Sequence, residues 1–225
     1  MYRIIVLFVF SVFTVTVFSQ SAYERDTLWQ QDIDRFKEMD EKTPPEKGGI
    51  LFIGSSSFRA WDSLEEDFNG YNVLNRAFGG SHLIDIIWYF EDIVLPYEPC
   101  QIILYEGDND IAAGKSPEAY LEDVITFVRL VEMNLQDTKI DIVSTKPSPA
   151  REEWSENYRR ANSLVRDFCM KRPHLRFIDV EQLMYDEDGE IIEEIFIEDR
   201  IHMNEKGYEI WEAVIRPYLS TCGQK

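Results

Sequence analysis

The sequence predicts an α/β domain of three layers, α/β/α, with a parallel sheet covered by helices on both faces. Three observations predict it. Five short apolar runs rich in β-branched and aromatic residues recur along the chain, at 50–54, 72–75, 101–107, 139–145 and 175–180. Their apolar character is nearly continuous rather than alternating, as expected of strands buried on both faces. Helical patterns separate them, and strands that alternate with helices are joined by crossovers into a parallel sheet. The length of 225 residues and the apolar fraction of 44% suit one domain with a real core.

Taken in order, residues 1–19 read as a secretory signal peptide. Arg3 is followed by an apolar or small-residue stretch from Ile4 to Phe18, shorter than the roughly 20 residues of a membrane-spanning helix, and small residues follow at Ser19 and Ser21. Residues 20–49 read as an N-terminal helix and linker packing on the domain. Within it, Trp29, Ile33 and Phe36 share one helical face, and "EKTPPEKGG" (41–49) then breaks structure. The domain proper is expected over 50–225. Its clearest helix is 116–135, where Ser116 is a natural N-cap, Pro117 fits the first helical position, and Tyr120, Val124, Phe127, Val128 and Val131 form an apolar stripe. Further helices are expected near 82–95, 152–171 and 204–219.

Charge and cysteine content exclude several function classes. A net charge of −19, or −20 once Arg3 leaves with the leader, repels phosphate backbones and anionic headgroups, so nucleic acid is not an expected partner. Stable membrane insertion after signal cleavage is not expected either. Cys100, Cys169 and Cys222 are too few and scattered for a disulfide framework, and none lies in a metal-ligand cluster; Cys100 and Cys169 are expected as buried free thiols.

Parallel sheets of this kind bind ligands beyond the carboxyl ends of their strands. The first strand runs into "GSSSF" (54–58), a small-residue turn that exposes a serine hydroxyl beside the N–H groups of a helix start. The second is followed by paired Gly79 and Gly80, where backbone can approach a ligand closely. The third ends in Gly107, Asp108, Asn109 and Asp110, and the loop after the fifth leads to Asp199 and His202. Each fragment alone is consistent with an ordinary turn. Together they supply what acyl transfer requires: a serine, a histidine to take its proton, a carboxylate to orient the imidazole, and donors for the developing oxyanion. Which of Ser55, Ser56 and Ser57 is the nucleophile does not follow from composition.

These blocks, "IGSSS", "AFGGS", "GDND" and "DRIH", stand in order over 53–202, and on them the chain resembles the SGNH hydrolase superfamily of GDSL esterases, lipases and acylhydrolases. The resemblance implies a flavodoxin-like five-stranded sheet of order 2-1-3-4-5. It implies Ser56 as nucleophile, Asp199 and His202 as its triad partners, and an oxyanion hole made by Ser56, Gly80 and Asn109. Ser55 stands where the family name records Asp, and Arg200 where many relatives have Gly. No cofactor and no metal are implied. The implied activity is hydrolysis of carboxylic esters; the leader at 1–19 points to a secreted or periplasmic setting, and export, a small single domain and an acidic surface together favour O-deacetylation of a carbohydrate. Alternatives are a lysophospholipase- or thioesterase-type acylhydrolase, or a non-catalytic binding module of the same fold. In "STKPSPAREEW" (144–154), Lys146, Arg151 and Trp154 are candidate substrate contacts.

Overall fold

The structure is a computed structural model that describes residues 27–222, so the expected leader at 1–19 and residues 20–26 lie outside the described residues. The five apolar runs form strands β1 (Ile50–Gly54), β2 (Val73–Asn75), β3 (Gln101–Tyr105), β4 (Lys139–Val143) and β5 (Leu175–Ile178). They pair in parallel in the order β2-β1-β3-β4-β5, as the resemblance implied. β1 and β3 are buried throughout. β2 is only half-buried, because it is an edge strand with one neighbour. β3 stops at Tyr105 rather than 107, because Gly107 takes a φ of +106° and turns the chain out of the sheet.

Nine α-helices complete the described residues: α1 (Gln30–Lys42), α2 (Ser56–Arg59), α3 (Leu64–Asp67), α4 (Leu83–Trp88), α5 (Phe90–Ile93), α6 (Asp108–Ala112), α7 (Pro117–Asn134), α8 (Ser155–Cys169) and α9 (Glu205–Ile215). Side chains alternate across a strand, so each strand feeds two cores. Leu51, Ile53, Ile102, Leu104, Ile140 and Ile142 pack under α1, α4, α5, α7 and α8. Ile50, Phe52, Ile103, Tyr105, Val143 and Ile178 pack under α2, α3 and α9, where Trp61, Tyr208 and Trp211 form an aromatic cluster. α7 starts as its sequence requires, with Ser116 Oγ accepting from the Ala119 N–H at 3.1 Å and Pro117 next.

Two sequence expectations need correction. The helix expected over 82–95 is broken into α4, α5 and a 3₁₀ turn at Leu95–Tyr97. Tyr89, at φ −91°, ψ +13°, separates α4 from α5, and Val94 ends α5 by leaving helical geometry at φ −123°, ψ −56°. Cys100 is not a free thiol: it pairs with Cys222, with Cα atoms 6.0 Å apart, and Cys169 alone remains free and buried. The 122-residue separation between the partners hid the pairing from any reading of spacing. This bridge fixes the C-terminal tail beside the start of β3, at the opposite sheet edge from the candidate site.

Candidate active site

The site is built where β1 ends. Gly54 has φ +143°, and a Cβ there would stand 1.9 Å from the Tyr105 carbonyl oxygen, so only glycine lets β1 pass this close to β3. The Ser55 N–H still bonds that carbonyl at 3.1 Å, and the chain then turns at once into α2. The three serines separate here. Ser55 and Ser57 are both buried, and Ser56 opens into a cleft of about 290 Å³ lined also by Gly80, Asn109, Arg151 and His202.

The loop of Asp199 and His202 reaches the same cleft from the far side. His202 Nε2 lies 2.8 Å from Ser56 Oγ, and His202 Nδ1 lies 2.5 Å from Asp199 Oδ2. A carboxylate can only accept, so Nδ1 carries the proton and Nε2 is left to accept from the serine hydroxyl. Asp199 Oδ1 takes the backbone N–H groups of Ile201 at 2.8 Å and His202 at 2.9 Å. Partial desolvation raises the Asp199 pKa, but these bonds and the imidazole outweigh it and bring the pKa down to about 2. Arg200 sits at φ +57°, the left-handed region, which favours glycine over a residue with a side chain. The loop is anchored behind by α9, whose first turn is capped by Asn204 Oδ1 accepting from the Gly207 N–H at 3.4 Å. Trp211 and Tyr208 are core residues.

The third side is the oxyanion candidate. Gly80 turns at φ +76° under the ring of Trp29. Asn109, in the first turn of α6, has its amide fixed at both ends. Its Nδ2 donates to Ser55 Oγ at 2.7 Å and to the Ser81 carbonyl at 3.0 Å, while its Oδ1 accepts from Arg151 Nη2 at 2.8 Å. The serine that replaces the family's aspartate thus holds the Asn109 amide. Ser81 Oγ donates to Glu106 Oε1 at 2.6 Å. Glu106 is wholly buried, and its burial, reinforced by the negative charge of Asp110, pushes its carboxyl well above the usual range.

The three candidate contacts from the loop after β4 divide. Lys146 is buried and does not reach the cleft; its Nζ donates to the Ile201 carbonyl at 2.6 Å, between Asp199 and His202. Its four-carbon stem lets the ammonium reach this carbonyl from the buried side of the loop. Trp154 is half-buried against the core under α7 and α8. Arg151 lines the cleft, but its guanidinium is engaged by Asn109 and by Asp108 Oδ2 at 3.3 Å. Lys146 and Trp154 are therefore corrected from substrate contacts to supports. Three cleft residues were missed by sequence reasoning, one of them Ile201 between the triad's aspartate and histidine. Arg59 follows Ser56 by three positions on α2, a spacing that could have flagged it; Asp32 comes from α1, and no local signal links it to the site.

The family model that matches the chain over residues 49–210 is that of GDSL-like lipases and acylhydrolases. The chain belongs to this family. Its members are hydrolases of ester bonds, and α1 lies ahead of the matched segment. Solved structures of similar fold include a Streptococcus pneumonia protein named for platelet activating factor, 20% identical with TM-score 0.76, covering 85% of this chain and 92% of that one. A GDSL-like lipase from Bacteroides thetaiotaomicron is 20% identical with TM-score 0.68 and coverage of 83% and 96%. Axe2, an acetylxylan esterase from Geobacillus stearothermophilus, is 13% identical with TM-score 0.62 and coverage of 80% and 99%. Identities this low establish the fold alone. No curated protein matches the chain in sequence. Among the described residues no group of three or more His, Cys, Asp or Glu is placed to hold a metal ion, and no helix is long and apolar enough to cross a membrane.

Proposed function

We propose that this protein is an exported serine esterase that removes short acyl groups, foremost O-acetyl groups of carbohydrates, through an acyl-enzyme on Ser56. The observation that carries the reading is the relay Asp199–His202–Ser56, with contacts of 2.5 and 2.8 Å. His202 Nε2 takes the Ser56 proton as Oγ attacks the ester carbonyl, then returns it to the leaving alcohol. Asp199 stays ionised and stabilises the imidazolium. The oxyanion meets the backbone N–H groups of Ser56 and Gly80 and the Asn109 amide, for which the Asn109–Ser55 bond is exchanged as charge develops on the substrate. Water, activated by the same histidine, releases the acyl group.

Short acyl groups are supported by the modest cleft of about 290 Å³, at the small end for ligand sites. Carbohydrate acetyl esters are supported by the acetylxylan esterase among the fold's neighbours. Export is supported by the apolar leader at 1–19 and by the Cys100–Cys222 bridge, which persists in an oxidising compartment.

The test is labelling with a fluorophosphonate, location of the adduct by mass spectrometry, and a panel of p-nitrophenyl esters of rising chain length beside acetylated sugars. An adduct on Ser56, lost in Ser56→Ala, with rates falling beyond short acyl groups, is expected. An adduct on Ser55 or Ser57 overturns the nucleophile, and a preference for long chains overturns the acetyl reading in favour of a lysophospholipase.

A further inference from the structure

The charges around the cleft are almost all engaged. Arg151 is held by Asn109 and Asp108, Asp32 by Arg35 at 2.9 Å, and His202 by Asp199. Arg59 is the exception. Its side chain is exposed in the cleft and makes no hydrogen bond or ion pair among the described residues. It is also held near the reacting atoms. It follows Ser56 by three positions on one helical turn, which puts their Cβ atoms about 5–6 Å apart. The inner end of its guanidinium packs against the loop of Gly79, with Nε 2.7 Å from where a Cβ of Gly79 would stand, so the absence of a side chain there makes room for it.

An unpaired guanidinium beside the nucleophile is notable on a chain of net charge −19. The protein as a whole repels anions, yet this cleft presents one planar fork of donors that has no acceptor among the described residues. Such a fork matches a carboxylate in bidentate geometry. If the acyl group is acetyl, it has no place for a charge, so the anion belongs to the alcohol side of the ester.

We propose that Arg59 is a specificity-determining residue that selects esters whose alcohol carries a carboxylate a few bonds from the ester oxygen, as in O-acetylated acidic sugars. This rests on the esterase reading above. Arg59 holds the carboxylate while the acetyl carbonyl lies between Ser56 Oγ and the donors of Gly80 and Asn109.

The experiment compares 4-acetoxybenzoate with its methyl ester, each rate normalised to spontaneous hydrolysis, in wild type, Arg59→Gln and Arg59→Lys. Wild type should favour the anionic ester by about 10–100-fold in kcat/KM, the range of a hydrogen bond to a charged group. Arg59→Gln should bring the ratio toward one, and Arg59→Lys should restore part of it. A wild-type ratio at or below one, or a ratio unchanged by Arg59→Gln, overturns the proposal. If neither ester is turned over, the esterase reading falls. Calorimetric binding of 4-hydroxybenzoate against its methyl ester then decides Arg59 separately: binding weakened tenfold or more by Arg59→Gln supports the site, and equal binding by both proteins refutes it.

Discussion

Replacing Lys146 with methionine should make the stability difference between variant and wild type depend on pH above 8, in a direction fixed by the burial of the ammonium. Lys146 is wholly buried. Loss of hydration lowers its pKa from 10.5 to about 8, although Asp108, with Oδ2 4.0 Å from Nζ, and Asp199 oppose the shift. In the unfolded chain the amine titrates near its ordinary ~10.4. Below pH 8 both states carry the proton, and folding bears the full cost of burying the charge. A shift of this size corresponds to about 3 kcal/mol at roughly 1.4 kcal/mol per unit. Between 8 and 10.5 the unfolded chain holds more protons than the folded one, so stability rises with pH. Integrating between the two values, the relief is about 1 kcal/mol by pH 9 and about 2–3 kcal/mol by pH 10. Lys146→Met keeps the stem's volume and removes the titration. It also leaves the Ile201 carbonyl without its donor, at a cost of about 1–3 kcal/mol that does not vary with pH. Urea denaturation of both proteins at pH 7, 9 and 10 isolates the effect, since all other titrating groups cancel in the difference. Wild type should gain on the variant by those amounts. A difference that stays flat from pH 7 to 10 would refute a buried, depressed ammonium.

Four other outcomes are expected. Asn109→Ala should lower kcat by about 10²–10³ with little change in KM, read by steady-state kinetics on p-nitrophenyl acetate. Arg151→Met should lower kcat less, and its effect should nearly vanish in the Asn109→Ala background, because Arg151 acts on the site by fixing that amide; additive losses would contradict this. Asp199, depressed to about 2, contributes stability that is complete above its unfolded ~3.9 and is lost as pH falls through 2. Its exposure to solvent keeps the amount small, so Asp199→Asn should cost mainly activity and little melting temperature, compared at pH 7 and pH 3 by calorimetry. Cys222→Ala should lower stability by about 2–5 kcal/mol in urea, given the long loop the bridge closes, and leave kcat in the folded protein near wild type.

The sequence by itself determined the layer architecture, the strand positions and the chain-local parts of the site. Apolar runs bounded by Gly54 and Gly107, the Ser116–Pro117 helix start and the Asp199–His202 spacing are short-range patterns whose physics acts within a few residues, so they can be read one segment at a time. The triad's membership and the order of the strands came from the resemblance, and the order is as it implied. Tertiary structure alone decided how distant segments share space. Lys146 and Arg151 look alike in a polar loop, but one turns inward to Ile201 and the other reaches Asn109, because each long side chain goes to whichever acceptor the packed domain leaves unserved. The pairing of Cys100 with Cys222 and the arrival of Asp32 from α1 arise the same way, from contacts between residues far apart in the chain. Which of three adjacent serines faces His202 was likewise settled in three dimensions. Adjacent hydroxyls are alike in composition, and only the turn from β1 into α2 points Ser55 and Ser57 into the packed interior and Ser56 into the cleft.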